Sequence, residues 1–125
     1  MSKESMLEYC VKKAREGDSS GAVRVYSVAT DKRGNYLGES LNTYIKTSPK
    51  QKKWSLRCGQ HGREYLHSEL LTLLRASKSG RKVTDLYIAR VDKQGKIKDG
   101  KPCVICQAMI TSEFPTLNVH YTEEI

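Results

Sequence analysis

Two short runs carry the chemistry open to this sequence: His67-Ser68-Glu69 and Pro102-Cys103-Val104-Ile105-Cys106. Cys103 and Cys106 are three apart and share one face of a helix, where the positive end of the helix dipole favours thiolates. With His67 they make three protein ligands, one imidazole and two sulfurs, a donor set that selects zinc. Three ligands leave the fourth position for water, the mark of a catalytic rather than a closed structural site, and a bound zinc brings the pKa of that water to about 7. Glu69 is then a general base and acid beside the activated water. His67 and Glu69 are two apart, so they can address one ion only at a helix entry, because such residues diverge in a helix interior.

The elements that must position these residues follow from periodicity. Met6, Leu7, Cys10, Val11 and Ala14 recur at helical spacing from Ser5 to Gly17, giving an amphipathic first helix. Ala22 to Thr30 and Tyr36 to Thr43 read as a hairpin around Asp31-Lys-Arg-Gly-Asn35. The span 43–63 is polar, holds Ser48-Pro49 and Gly59, and is expected to be a long basic loop with at most one turn of helix. Glu64 to Ser77 packs Leu66, Leu70, Leu71, Leu73 and Leu74 into a second helix. Val83 to Val91 reads as a third strand, Cys103 to Ile110 as a third helix, and Leu117 to Tyr121 as a last strand. The order α-β-β-α-β-α-β, with strands separated by helices, implies parallel neighbours in a three-layer α/β/α arrangement around a mixed sheet of about four strands. A chain of 125 residues makes one domain, 1–125.

His-x-Glu followed by Pro-Cys-x-x-Cys, each half opening a predicted helix, resembles the cytidine and deoxycytidylate deaminase superfamily, whose signature this is. The resemblance runs from Val23 to Tyr121. Ser48-Pro-Lys-Gln51 with Tyr65-Leu-His-Ser-Glu-Leu70 looks most like small phage-encoded members. It implies a cytidine deaminase-like fold and a hydrolase holding one catalytic Zn²⁺ on His67, Cys103 and Cys106. Glu69 would move protons as cytosine becomes uracil, in a nucleotide or in single-stranded nucleic acid. It further implies that Asn42 holds the sugar, the Ser68 backbone N–H binds the base carbonyl, and the Lys101 carbonyl receives the amine. Ser68 stands where alanine is usual, and Lys101 where serine, threonine or glutamate is found in better known members. The segment between Asn42 and His67 is longer than in the tRNA adenosine deaminases, and the terminal strand or helix of larger relatives is not expected. Many relatives are dimers or larger, so a homo-oligomer is a possible state. The alternatives are an adenosine-type deaminase and a zinc-stabilised nucleic-acid-binding module without catalysis.

Composition bounds the partners. Apolar residues at 38% and charged residues at 29% fit a soluble globular protein, and no stretch approaches the roughly 20 apolar residues that span a bilayer. The beginning, Met1-Ser-Lys-Glu-Ser-Met-Leu-Glu8, lacks a secretory run, which predicts a cytoplasmic protein whose cysteines are ligands or core residues rather than disulfides. The net charge of +8 favours an anionic partner. Between Thr43 and Arg63, Lys46, Lys50, Lys52, Lys53, Arg57 and Arg63 stand without one acid. Lys50, Lys52, Lys53 and Arg57 are thus candidate phosphate contacts, and Trp54 a candidate base-stacking platform; the other reading makes Trp54 an anchor of the loop. Cys58 and His61, with Cys10 or His120, have a spacing that a second metal could use, although Cys10 fits the apolar face of its helix.

Overall fold

The computed structural model describes residues 2–17, 23–42, 48–59 and 67–124. Lys46, His61, Arg63 and the expected helical start at Glu64 to Leu66 lie outside these described residues. The order of elements is α1 (Lys3–Glu16), β1 (Arg24–Thr30), β2 (Tyr36–Leu41), α2 (Pro49–Arg57), α3 (Ser68–Ser77), β3 (Asp85–Val91), β4 (Ile97–Lys98), α4 (Val104–Glu113) and β5 (Asn118–Tyr121).

β1 and β2 form the expected hairpin, with Val28 opposite Glu39 and Ala29 opposite Gly38. Asp31 fixes its turn: one carboxylate oxygen accepts the backbone N–H of Arg33 at 2.9 Å and of Asn35 at 3.0 Å. β3 runs antiparallel to the other side of β1. The far edge of β3 is shared, because β4 pairs antiparallel with Arg90 and Val91 while β5 pairs parallel with Asp85 to Ile88. The sheet is therefore mixed and five-stranded, and its one parallel pair is β3 with β5. Of the strands that a helix separates, β3 and β5 are the parallel neighbours expected, while β3 lies beside β1 and pairs antiparallel with it. A parallel pair needs a crossover long enough for a helix, and α4 supplies one between β3 and β5; the hairpin turn forces antiparallel pairing on β1 and β2. β4 is two residues long, too short to leave a periodic signal.

Strand alternation sorts the sheet residues into two faces. Val28, Ala89 and Val91 pack with Met6, Cys10, Val11 and Ala14 of α1. Ala29, Leu86 and Ile88 point the other way, against Leu70, Leu73 and Ala76 of α3 and Ile105, Met109 and Ile110 of α4. This is the expected three-layer α/β/α architecture. Burial of each large apolar side chain contributes roughly 1.5–3 kcal/mol, so α3 and α4 are held mainly by their leucine, isoleucine and methionine faces. Close seating of α3 depends on Gly38: a Cβ there would come within 2.7 Å of the Thr72 carbonyl oxygen and 2.9 Å of the Ala76 nitrogen. On the opposite face α1 is fastened to β2, where the Tyr9 hydroxyl donates to Glu39 at 2.6 Å.

The basic span contains a true helix, which corrects the expectation of a loop over 43–63. Ser48 caps α2 by accepting the Gln51 N–H at 3.0 Å, and Pro49 occupies the first turn, where its missing N–H costs nothing. Gln51, Trp54 and Ser55 are buried, while Lys52, Lys53, Leu56 and Arg57 face outward.

Candidate metal and catalytic centre

Both motif halves fall at helix entries. His67 is the N-cap of α3, with extended backbone at φ −76° and ψ 148°; Ser68 and Glu69 begin the helix behind it. That bend removes the two-residue objection, because the imidazole leaves the chain before helical periodicity begins. Cys103 is likewise the N-cap of α4, and Cys106 lies three residues on, so both sulfurs address the same helix end.

The three donors converge. His67 Nδ1 lies 3.4 Å from Cys103 Sγ and 3.4 Å from Cys106 Sγ, and all three ligand atoms lie within 4.8 Å of one another. A tetrahedral zinc with Zn–N and Zn–S bonds of about 2.0 and 2.3 Å would place nitrogen and sulfur about 3.5 Å apart. The cluster thus fits the ion in donor type and in spacing. It is the one group of three or more such ligand residues among the described residues. Cys103 is brought down to about 3 by the thiol of Cys106 hydrogen-bonding to it and by His67, while Cys106 is pushed upward by the same partnership and by burial. A sulfur made more readily ionised beside an imidazole suits metal capture.

Glu69 is 6% exposed, and its carboxyl lies within hydrogen-bonding reach of Cys106. Burial raises its pKa, with the neighbouring His67 partly opposing that rise. A carboxyl that holds its proton more tightly than usual, beside a metal-ligand cluster, has the properties of a proton carrier.

Ser68 is fully buried, and its hydroxyl lies 2.6 Å from that of Ser27 and donates to the Ser40 carbonyl at 2.8 Å. Ser40 returns a bond to the Ser68 carbonyl at 3.0 Å, and Thr72 joins the same hydroxyl cluster. The side chain thus fixes α3 to the sheet. Asn42 accepts the Val25 N–H at 2.9 Å and donates to the Val23 carbonyl at 3.3 Å, so its amide extends the hairpin. Lys101 is exposed, with its N–H on the Asp99 carboxylate at 2.9 Å, and Gln107 holds the next carbonyl, that of Pro102, at 2.8 Å.

Trp54 is not an open stacking platform. It is 6% exposed, its indole N–H donates to Glu113 at 2.9 Å, and Lys53 and Arg57 lie over its ring. Lys50 is paired with the same Glu113. Lys52, Lys53 and Arg57 remain exposed on α2. Cys10 is buried under α1 with its thiol on the Tyr87 carbonyl, whereas Cys58 packs against the opposite core, so these two cannot share an ion. His120 is engaged with Asp85 at 2.9 Å and stacks on Tyr87. The residue missed by the sequence reading is Gln51, whose fully buried side chain accepts the His67 N–H at 3.2 Å. Its signal was present, since positions 51, 54, 55 and 58 repeat at helical spacing behind a Ser-Pro start.

A mixed sheet flanked by α1 on one face and by two helices that open on a His-Cys-Cys cluster on the other defines a cytidine deaminase-like α/β fold. Solved structures share it. Cytidine deaminase from Mycobacterium leprae superposes with a TM-score of 0.57 at 13% identity, covering 95% of this chain and 87% of that one. A mutant cytidine deaminase from Mycobacterium tuberculosis gives 0.54 at 15%, covering 90% and 75%. The dCMP deaminase of cyanophage S-TIM5, in its apo form, gives 0.54 at 16%, covering 96% of each chain. No protein-family model and no curated protein matches the sequence. No helix among the described residues is long and apolar enough to cross a membrane.

Proposed function

We propose that this chain is a single-domain, zinc-dependent deaminase of the cytidine and deoxycytidylate superfamily that converts cytosine to uracil in a nucleotide. The observation that carries the reading is the convergence of His67, Cys103 and Cys106 at zinc-compatible spacing with the buried Glu69 carboxyl against them. When bound, zinc supplies an acidified water at neutral pH. Glu69 would accept one proton from the attacking water and give it to the ring nitrogen, then take the remaining proton of the added hydroxyl and pass it to the amine, so that a C–O bond replaces the C–N bond and cytosine and water yield uracil and ammonia. Burial around Glu69 raises its pKa and so strengthens it as the base that takes up the proton. The backbone N–H of Ser68, the carbonyl of Lys101 and the amide of Asn42 are assigned to base carbonyl, amine and sugar by the motif correspondence.

A free nucleotide is favoured over a strand because Trp54, the aromatic group among the described residues of the basic segment, is spent on Glu113 and the core, while base stacking is a principal source of single-strand affinity. Lys52, Lys53 and Arg57 keep charge available for a phosphate. The test is deamination by the zinc-loaded protein of dCMP, cytidine and a cytosine-containing oligonucleotide, read as ammonia released and uracil-bearing product formed, with AMP as the adenine control. Turnover fastest on dCMP supports the proposal. Turnover on the oligonucleotide alone transfers the activity to nucleic acid, and silence on every cytosine substrate overturns it.

A further inference from the structure

We infer that α2 is a brace between the two ligand-bearing helices and that Gln51 is a positioning residue for the metal ligand His67, an inference that rests on the zinc reading above. Three contacts place α2 in this role. The Gln51 side-chain oxygen accepts the backbone N–H of His67, the N-cap of α3, at 3.2 Å. Trp54 donates to Glu113, the last residue of α4, at 2.9 Å, and Lys50 pairs with the same carboxylate. The Trp54 ring also sits in the core cluster with Leu70 and Leu73 of α3 and Ile105 and Met109 of α4. One nine-residue helix therefore touches the helix that presents the nitrogen ligand and the helix that presents both sulfur ligands.

Gln51 is itself held. It is fully buried, and its amide N–H donates to the Ser55 hydroxyl at 3.3 Å, one turn along α2, which aims the oxygen at His67. His67 has no capping bond from its own side chain, because its ring is turned toward the sulfurs. The Gln51 oxygen acts instead on the backbone from which that ring projects. A ligand held this way needs no reordering when an ion arrives, and groups that orient metal ligands typically contribute 10- to 100-fold in affinity or activity. Removing the oxygen also takes away the acceptor that holds the His67 N–H.

The experiment measures zinc release from the loaded full-length protein into excess chromophoric chelator, alongside kcat and KM for dCMP. Trp54, the one tryptophan of the sequence, reports on α2 by its fluorescence. Gln51→Leu, which removes the acceptor at similar volume, is expected to release zinc roughly 10- to 100-fold faster. It should lower kcat with little change in KM, and shift Trp54 emission relative to the wild type as α2 loosens. Gln51→Glu keeps an acceptor oxygen at the same reach and is expected to restore most of the slow release. Release and Trp54 emission unchanged in Gln51→Leu, with a zinc-binding wild type, overturn the brace and leave the deaminase reading intact. A wild type that holds zinc but turns over no substrate sinks the deaminase reading, while the brace still stands or falls on the release rate. A wild type that binds no zinc overturns both. If Gln51→Leu does not fold, Ser55→Ala, which removes the bond aiming the amide, carries the same measurement, and unchanged release there overturns the proposal.

Discussion

Replacing Glu69 by glutamine should separate the carboxyl's work from its cost. The substitution is isosteric and leaves His67, Cys103 and Cys106 untouched, so zinc should stay bound at wild-type stoichiometry. Loss of a positioned general acid and base typically costs 10²- to 10⁴-fold in rate, or about 2.7–5.4 kcal/mol of barrier at about 1.36 kcal/mol per tenfold. Stability should move the other way in the metal-stripped protein. Burial raises the folded-state pKa of Glu69, so its favourable contribution is fully present below the unfolded value, near 4.5, and is lost as pH rises through the higher folded value. At neutral pH the wild type pays to bury a carboxylate at this 6% exposed position, whereas glutamine does not. Metal-stripped Glu69→Gln should therefore melt at the same temperature as the wild type or higher at pH 8, with the difference shrinking towards pH 4. Metal analysis, single-substrate kinetics and thermal melts at several pH values read all three effects. Wild-type turnover in a zinc-replete variant would refute the proton-transfer role. Loss of zinc with loss of activity would show that Glu69 belongs to the ligand set instead.

Cys106→Ser should reduce bound zinc below one equivalent after dialysis against a mild chelator, since the softer sulfur donor is gone; unchanged metal content would discredit the His-Cys-Cys assignment. Gly38→Ala should destabilise by about 1–3 kcal/mol in denaturant titration, because its Cβ must push the Thr72–Ala76 backbone of α3 off the sheet; a neutral result would mean that the helix seats less tightly. Asp31 is held down to about 2, first by the Asn35 side chain and then by turn N–H groups, so its stabilisation is present above about pH 4 and is lost as pH falls through about 2. Asp31→Asn should consequently melt below the wild type at pH 6 and approach it at pH 2, and a gap independent of pH would remove the charge from the explanation.

The candidate ligand residues were legible because each motif half stands next to helix-start chemistry: Pro102 before Cys103, and a dense leucine face after His67. α1 and the hairpin were legible for equally local reasons, helical spacing through Ala14 and a turn sequence at Asp31 to Asn35. α2 was obscured by composition. Its buried stripe consists of glutamine, tryptophan and serine, which apolar periodicity undervalues, and its four lysines and arginines speak of solvent. The pairing directions were illegible because they follow from which edge of β3 each later strand reaches, a tertiary outcome. The role of Gln51 needed coordinates, since a hydrogen bond across sixteen residues has no sequence period.

The sheet separates two core clusters, one on each of its faces. Beneath α1, the cluster around Cys10, Val28 and Val91 shares no residue with the cluster around Leu73, Ile105 and Met109 that backs the ligands. Substitutions in distant, unshared surroundings combine additively. Lineages or engineers can thus adjust heat tolerance by repacking the rear cluster, and the reaction centre across the strands keeps its tuning.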